Sequence, residues 1–151
     1  MKEKQETTAN ETMVETQAQD AKNMQIERQQ AIDNMIEQSN KFNKGTLMLE
    51  VPIRAEDKDV KELRYNFTKL TGWEYAAAMD TDPAGGNVFN ISTKQALTLF
   101  AKAAAKETKG IDDIDIRERI SIQDSVKAVQ LAALFFFATT REGEKRITSG
   151  L

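Results

Sequence analysis

From Leu47 the chain alternates, with Leu47, Leu49, Val51 and Ile53 interleaved with Met48, Glu50, Pro52 and Arg54. A period of two places the aliphatic side chains on one face of a strand. Pro52 has no amide hydrogen, so the strand belongs at an edge or leaves that position unpaired. Ala55 to Asp59 makes a polar turn, after which Leu63, Tyr65 and Phe67 alternate with Glu62, Arg64 and Asn66. The two runs predict a β-hairpin with one apolar face. An isolated hairpin is marginal in water, so helices must cover that face.

Three helical stretches can do so. Thr71-Gly72-Trp73-Glu74 has the form of a capping box and opens a short helix through Met79. Asp82 to Asn87, with Pro83, Gly85 and Gly86, is a loop. Ser92-Thr93-Lys94-Gln95 is a second capping box, leading into Ala96 to Lys109 and a stop at Gly110. Leu97, Phe100, Ala101 and Ala104 give this helix an apolar side. Ile111 to Ile120 reads as a linker of isoleucines and aspartates, and Ser121 caps a last helix running through Val126, Val129, Ala133 and Phe137 to the region of Thr140.

Residues 1–44 hold no glycine or proline and are crowded with Gln, Glu, Asn, Thr and Lys. Met1 to Ala18 offers Met13 and Val14 as its only sizeable apolar groups, too few to offset chain entropy, and is expected to be disordered. From Ala21 to Ser39, Met24, Ala31 and Met35 fall at helical spacing beside Ile32 and Ile36. That stripe fits a solvated helix with one apolar side or an arm that docks a partner equally well. The expected fold class is therefore α+β. A polar, helical N-terminal arm (1–44) precedes one antiparallel hairpin packed against about three helices (45–140), with a flexible C-terminal tail (141–151).

Composition narrows the chemistry. The 151 residues contain no cysteine and no histidine. Disulfides, thiolate metal sites, Ser-His-Asp and Cys-His catalysis and histidine-based metal centres are all excluded. A net charge of −3 argues against nucleic acid as a partner, which calls for a basic face. The most apolar stretch, Val126 to Ala138, is interrupted by Lys127 and Gln130 and falls short of the roughly 20 residues that span a bilayer. No apolar signal segment opens the chain, so a cytoplasmic protein without membrane partners is expected.

Candidate chemical motifs fail on inspection. Asp80, Asp82 and Gly85 occupy the first, third and sixth positions of a calcium loop, but Ala84 and Ile91 stand where further ligands are required. Asp112, Asp113, Asp115 and Glu118 alternate with Ile111, Ile114 and Ile116, the pattern of a pinned linker rather than converging carboxylates. Gly85-Gly86 lacks the Lys-Ser/Thr of a phosphate loop. No catalytic residue, metal ligand or cofactor is expected. Trp73, Tyr75 and Phe89 have faces for stacking, although Trp73, just inside a helix start, is expected to anchor the hairpin. Leu134-Phe135-Phe136-Phe137 is the most unusual feature. Successive residues turn by about 100° around a helix, so one layer cannot bury three adjacent rings. Phe137 is expected inside the fold, and at least one of Phe135 and Phe136 against another polypeptide. The candidate partner-binding residues are Leu131, Leu134, Phe135 and Phe136 on the last helix, with Met24, Ile32 and Met35 on the arm.

The order of these parts resembles a known family. An aliphatic edge strand, an acidic turn and Lys61-Glu62-Leu63-Arg64-Tyr65-Asn66-Phe67 lead into Leu70-Thr71-Gly72-Trp73-Glu74. An Ala-rich helix from Gln95 to Lys109, a spacer ending in Ile120-Ser121-Ile122-Gln123-Asp124, and Val129-Gln130-Leu131-Ala132-Ala133-Leu134-Phe135-Phe136 follow. Across Leu47 to Thr140 this is similar to the tail assembly chaperones of long-tailed bacteriophages and phage-like particles. The resemblance implies a non-enzymatic protein of the host bacterial cytoplasm. It would bind the tape measure protein, keep it soluble until tail tube protein polymerises around it, and be absent from the finished tail. It also implies a frameshifted longer form of the same chain as a partner, and admits a homo-oligomer. A structural head–tail or tail-completion protein retained in the virion is the alternative. A small carboxylate enzyme using Asp112 to Glu118 ranks below both.

Overall fold

The computed structural model of the chain describes residues 2–86 and 90–149, and the side chains of 14–38, 40–86 and 90–141 among them. Phe89, one of the stacking candidates, lies outside the described residues, as do the side chains of Met13 and of the segment after Arg141. Two compact units are present, 1–35 and 36–151. The first is a single helix: α1 starts at Lys2 and continues to Asn40, its last turn belonging to the second unit. The helix thus includes the stretch whose polarity led to an expectation of disorder. Nothing in it breaks a helix, because it has neither glycine nor proline. From Val14 to Met35 every residue but the half-buried Asp33 is exposed.

The second unit is α+β. Strands β1 (Lys44–Ala55) and β2 (Lys58–Asn66) form an antiparallel hairpin. A 3-10 turn (Phe67–Lys69) leads to α2 (Gly72–Asp80), followed by α3 (Thr93–Glu107), α4 (Asp113–Arg119) and α5 (Ile122–Ser149). Glu56 and Asp57 at the hairpin tip both have positive φ, 49° and 64°, the geometry of a two-residue turn that suits the twist of the strands. The register shifts between Met48 and Ile53, so β1 bulges around Pro52. The bulge absorbs the residue that cannot donate. It also turns Val51, expected on the covered face, out to 50% exposure.

Leu47, Ile53, Ala55, Leu63, Tyr65 and Phe67 form the buried face of the hairpin. Ala96, Leu99, Phe100, Ala101, Ala103 and Ala104 of α3 fill the layer against it, with Ile116 of α4 and Ala128 and Ala132 of α5. The run of small residues on α3 and α5 lets the helices approach closely, and the rings of Tyr65, Phe67 and Phe100 occupy the centre at centroid separations of 5.3 to 6.3 Å. Both capping boxes are formed. Thr71 and Glu74 exchange bonds at the start of α2, and Ser92 and Gln95 do so at the start of α3.

Two boundaries differ from those expected. The linker 111–120 contains α4, because the Asp112 carboxylate accepts from the Asp115 amide at 2.7 Å and caps a turn whose Ile116 is buried. And α5 continues to Ser149, beyond Thr140, through Arg141, Glu142, Glu144, Lys145 and Arg146, which favour helix. Among the described residues no helix is long and apolar enough to cross a membrane.

Candidate functional site

The site is built where α5 crosses the end of the hairpin. Asp124, in the first turn of α5, is buried and accepts hydrogen bonds from the amides of Glu50 at 3.0 Å and Val51 at 3.1 Å, and from the Ser121 hydroxyl at 2.9 Å. Further along, the Phe135 ring stacks on Phe67 at 4.9 Å, and Phe136 lies parallel to Tyr75 at 6.4 Å. These contacts hold α5 across the hairpin and against α2. The other side of α2 is fixed by Lys106, which donates to Glu74 and, at 3.0 Å, to the carbonyl of Lys69.

Between the 3-10 turn, α2 and α5 a groove of about 360 Å³ is left open. Phe67, Leu70, Tyr75, Leu99, Phe135 and Phe136 form its apolar walls. Thr71, Gly72, Thr139 and Thr140 complete the lining, which includes no charged residue. The hydroxyls of Thr71 and Thr140 are already engaged, the first by the Glu74 amide and the second by the carbonyls of Phe136 and Phe137. Trp73, on the same turn of α2 between Gly72 and Tyr75, is 85% exposed.

This geometry revises several expectations. Trp73 does not anchor the hairpin; as the second residue of α2 its ring points to solvent while Ala78, near the other end, packs inward. Phe136, at 5% exposure, belongs to the fold, and Phe135 is partly buried on Phe67. Their free edges line the groove, so both still meet it. Phe137, expected inside, is half-buried instead, with the Arg141 guanidinium 5.4 Å from its ring centre. Leu131 packs partly against the core and Leu134 is 37% exposed; neither lines the groove. Met24, Ile32 and Met35 are exposed on α1, in the other unit. Leu70, Leu99 and Phe67 were not legible as site residues, since each reads as core in a local pattern. Tyr75 carried a weak signal, an aromatic residue at the exposed start of a short helix.

Three groups around the hairpin and the helix starts depart from their ordinary pKa. Burial pushes the Tyr65 hydroxyl pKa up. The hydrogen bond from Lys106 holds Glu74 below the usual carboxylate range. For Asp124 burial is the largest influence and acts upward, but the Glu50 and Val51 amides, the Ser121 hydroxyl and nearby Lys127 together bring its pKa below normal. None of the three lines the groove. A second hollow of about 220 Å³, beside Glu74, Lys102, Lys106 and Asp113, holds charges already paired, Lys106 with Glu74 and Lys102 with Asp113 at 3.6 Å. Asp115 pairs with Arg119 at 3.7 Å, so the acidic residues of 112–115 serve capping and ion pairing. Among the described residues no group of three or more acidic side chains could hold a metal ion.

No protein-family model matches the chain, and neither a curated protein nor a solved structure matches it.

Proposed function

We propose that this protein is a phage tail assembly chaperone. It binds apolar helical segments of the tape measure protein in the host bacterial cytoplasm and keeps them soluble until tail tube protein polymerises. The reading rests on the order of elements from Leu47 to Thr140, and the single observation that carries it is the uncharged groove between α2 and α5. An amphipathic helix presents apolar residues at i, i+3, i+4 and i+7, and such a groove accepts them without requiring a matched charge. Tolerance of that kind suits a long client with many similar stripes. Tyr75, in the groove wall and 38% exposed, supplies the large aromatic contact that dominates binding energy in protein interfaces. The role is non-enzymatic and uses no cofactor.

Co-expression with the tape measure protein of the same genome tests this. The wild-type chain is expected to bring the client into the soluble fraction. Tyr75→Ala combined with Thr139→Lys, both at exposed positions lining the groove, is expected to abolish that rescue while the circular dichroism spectrum stays that of the wild type. A client equally insoluble with and without the wild-type chain overturns the function; rescue by the double variant overturns the site. Aspartate at Phe136 is a poor test, because a buried ring would be replaced by a charge and the fold itself would suffer. Mass spectrometry of purified virions separates the alternative, since a head–tail or tail-completion protein stays in the particle and a chaperone does not.

A further inference from the structure

The hairpin has two outer edges, and the fold closes one and part of the other. On β2 the Thr108 hydroxyl accepts from the Arg64 amide and donates to the Arg64 carbonyl, both at 3.0 Å. On β1 Asp124 takes the amides of Glu50 and Val51, Pro52 has none to offer, and Arg119 donates to the Arg54 carbonyl. Lys44 to Met48 has no such cover. Because both backbone groups of Arg64 point away from β1, those of its antiparallel partner Thr46 point away from β2. The period of two gives Lys44 and Met48 the same orientation. Among the described residues no hydrogen bond reaches these outward groups. An uncovered edge is a template for another strand.

We propose that a second copy of this chain pairs with Lys44 to Met48, antiparallel and centred on Thr46, joining two hairpins into a four-stranded sheet. The length of the free edge favours a second copy over an extended client segment. The Asp124 clamp ends pairing just beyond Met48, and a two-fold axis at Thr46 matches the outward groups of Lys44, Thr46 and Met48 with those of the partner's Met48, the partner's Thr46 and the partner's Lys44. Charge is self-complementary in the same register. Lys44 falls diagonally opposite the partner's Glu50, at a spacing long side chains bridge, and the relation occurs twice. The flank of α5 adds apolar cover. That helix runs from Asp124 beside Glu50 to Phe135 on Phe67, whose amide bonds the Asn43 carbonyl at 2.8 Å. It therefore follows the same stretch of β1, with Lys127 reaching Glu50 at 2.9 Å and Leu131 and Leu134 following on the same side of the helix. The inference is independent of the proposed client.

Sedimentation equilibrium of the full chain tests it. The wild type is expected at twice its 17.0 kDa mass. At a two-fold axis Thr46 faces itself, so Thr46→Lys and Thr46→Glu each place like charges directly opposite and are expected to return the single-chain mass. An equimolar mixture of the two is expected to restore the double mass. Thr46 is exposed, so both variants should keep the wild-type circular dichroism spectrum. A wild type that stays at the single-chain mass at every concentration overturns the proposal. So does a Thr46→Lys variant that keeps the double mass, which would locate association elsewhere, or a mixture that fails to associate.

Discussion

Asp124 holds Val51 by its backbone: a carboxylate oxygen on α5 accepts the Val51 amide at 3.1 Å, while its other oxygen accepts the amide of Glu50. The bulge of β1 would otherwise leave two donors beneath the start of a helix without partners. A side chain more than seventy positions away along the chain supplies both bonds. The same carboxylate receives the Ser121 hydroxyl, so one residue joins the entry of α5 to the irregular part of the sheet.

Replacing Asp124 by alanine removes the acceptor and leaves those amides without it in a partly buried place. Each such loss costs on the order of 1–3 kcal/mol, so Asp124→Ala is expected to lower stability by about 3 kcal/mol. Asp124→Asn, which keeps one oxygen, should fall between the two. Urea unfolding followed by circular dichroism measures both.

The sign of the pH dependence follows from the same bonds. The folded-state pKa of Asp124 lies below its unfolded value, so the folded protein releases this proton more readily than the unfolded chain does. Its contribution is fully present above the unfolded value of about 3.9 and is lost as pH falls through the lower folded value. Glu74, also lowered, acts in the same direction. Stability should therefore drop on acidification below about pH 4, and the drop should be shallower in Asp124→Asn.

The hairpin tip offers a gain. Glu56 and Asp57 both adopt the left-handed backbone region, which costs a side-chain-bearing residue roughly 1 kcal/mol and glycine little. Glu56→Asn with Asp57→Gly, the preferred pair for this turn, should raise stability by about 1 kcal/mol. The melting temperature should increase accordingly.

Gln95 does for the start of α3 what Asp124 does for α5. It is buried, its amide group donates to the carbonyls of Met79 at 3.0 Å and Asp82 at 3.1 Å, and its oxygen accepts from the Ser92 amide at 2.9 Å. Its oxygen also lies 2.2 Å from where a Cβ on Gly86 would stand, and the Asn90 carbonyl is at 2.8 Å, so that glycine is required by close approach. Gln95→Leu is expected to cost about 2–3 kcal/mol and to speed amide hydrogen exchange at the end of α2.

Phe136 in the groove wall and Trp73 on the exposed side of α2 should divide by burial. Phe136→Ala, deleting a packed ring, is expected to cost about 3 kcal/mol or more. Trp73→Ala should change stability by no more than about 0.5 kcal/mol. Thermal unfolding of the two variants separates them directly.

The strands, the turn between them, both capping boxes and the apolar side of α3 were legible because each depends on residues within a few positions of one another. The stripe expected on α5 was not its covered side: Val126 is 51% exposed, and Ala128, Ala132 and Phe136 are buried instead. Leu63, Tyr65 and Phe67 take the face their alternation assigns, and all three are buried. The pairing gap at Pro52 was legible for the same reason, although the outward turn of Val51 was not. What escaped local patterns is non-local. Asp124 reads as part of a helix cap, and nothing near it in the chain announces that β1 will need its oxygens. The expectation that α5 carries more apolar surface than one layer can hide held in a modified form. Phe136 is covered by Tyr75, so the groove emerges between the free edges of several rings rather than as one exposed phenylalanine. Trp73 was misplaced because a helix-start tryptophan adjacent to a hairpin fits packing and exposure equally well.

The exposed indole has a practical meaning as well. It is the only tryptophan of the chain, and it stands in water. Its emission should barely register loss of the core in denaturant. Intrinsic fluorescence is thus a poor gauge of unfolding for this molecule, and a backbone signal has to be used instead.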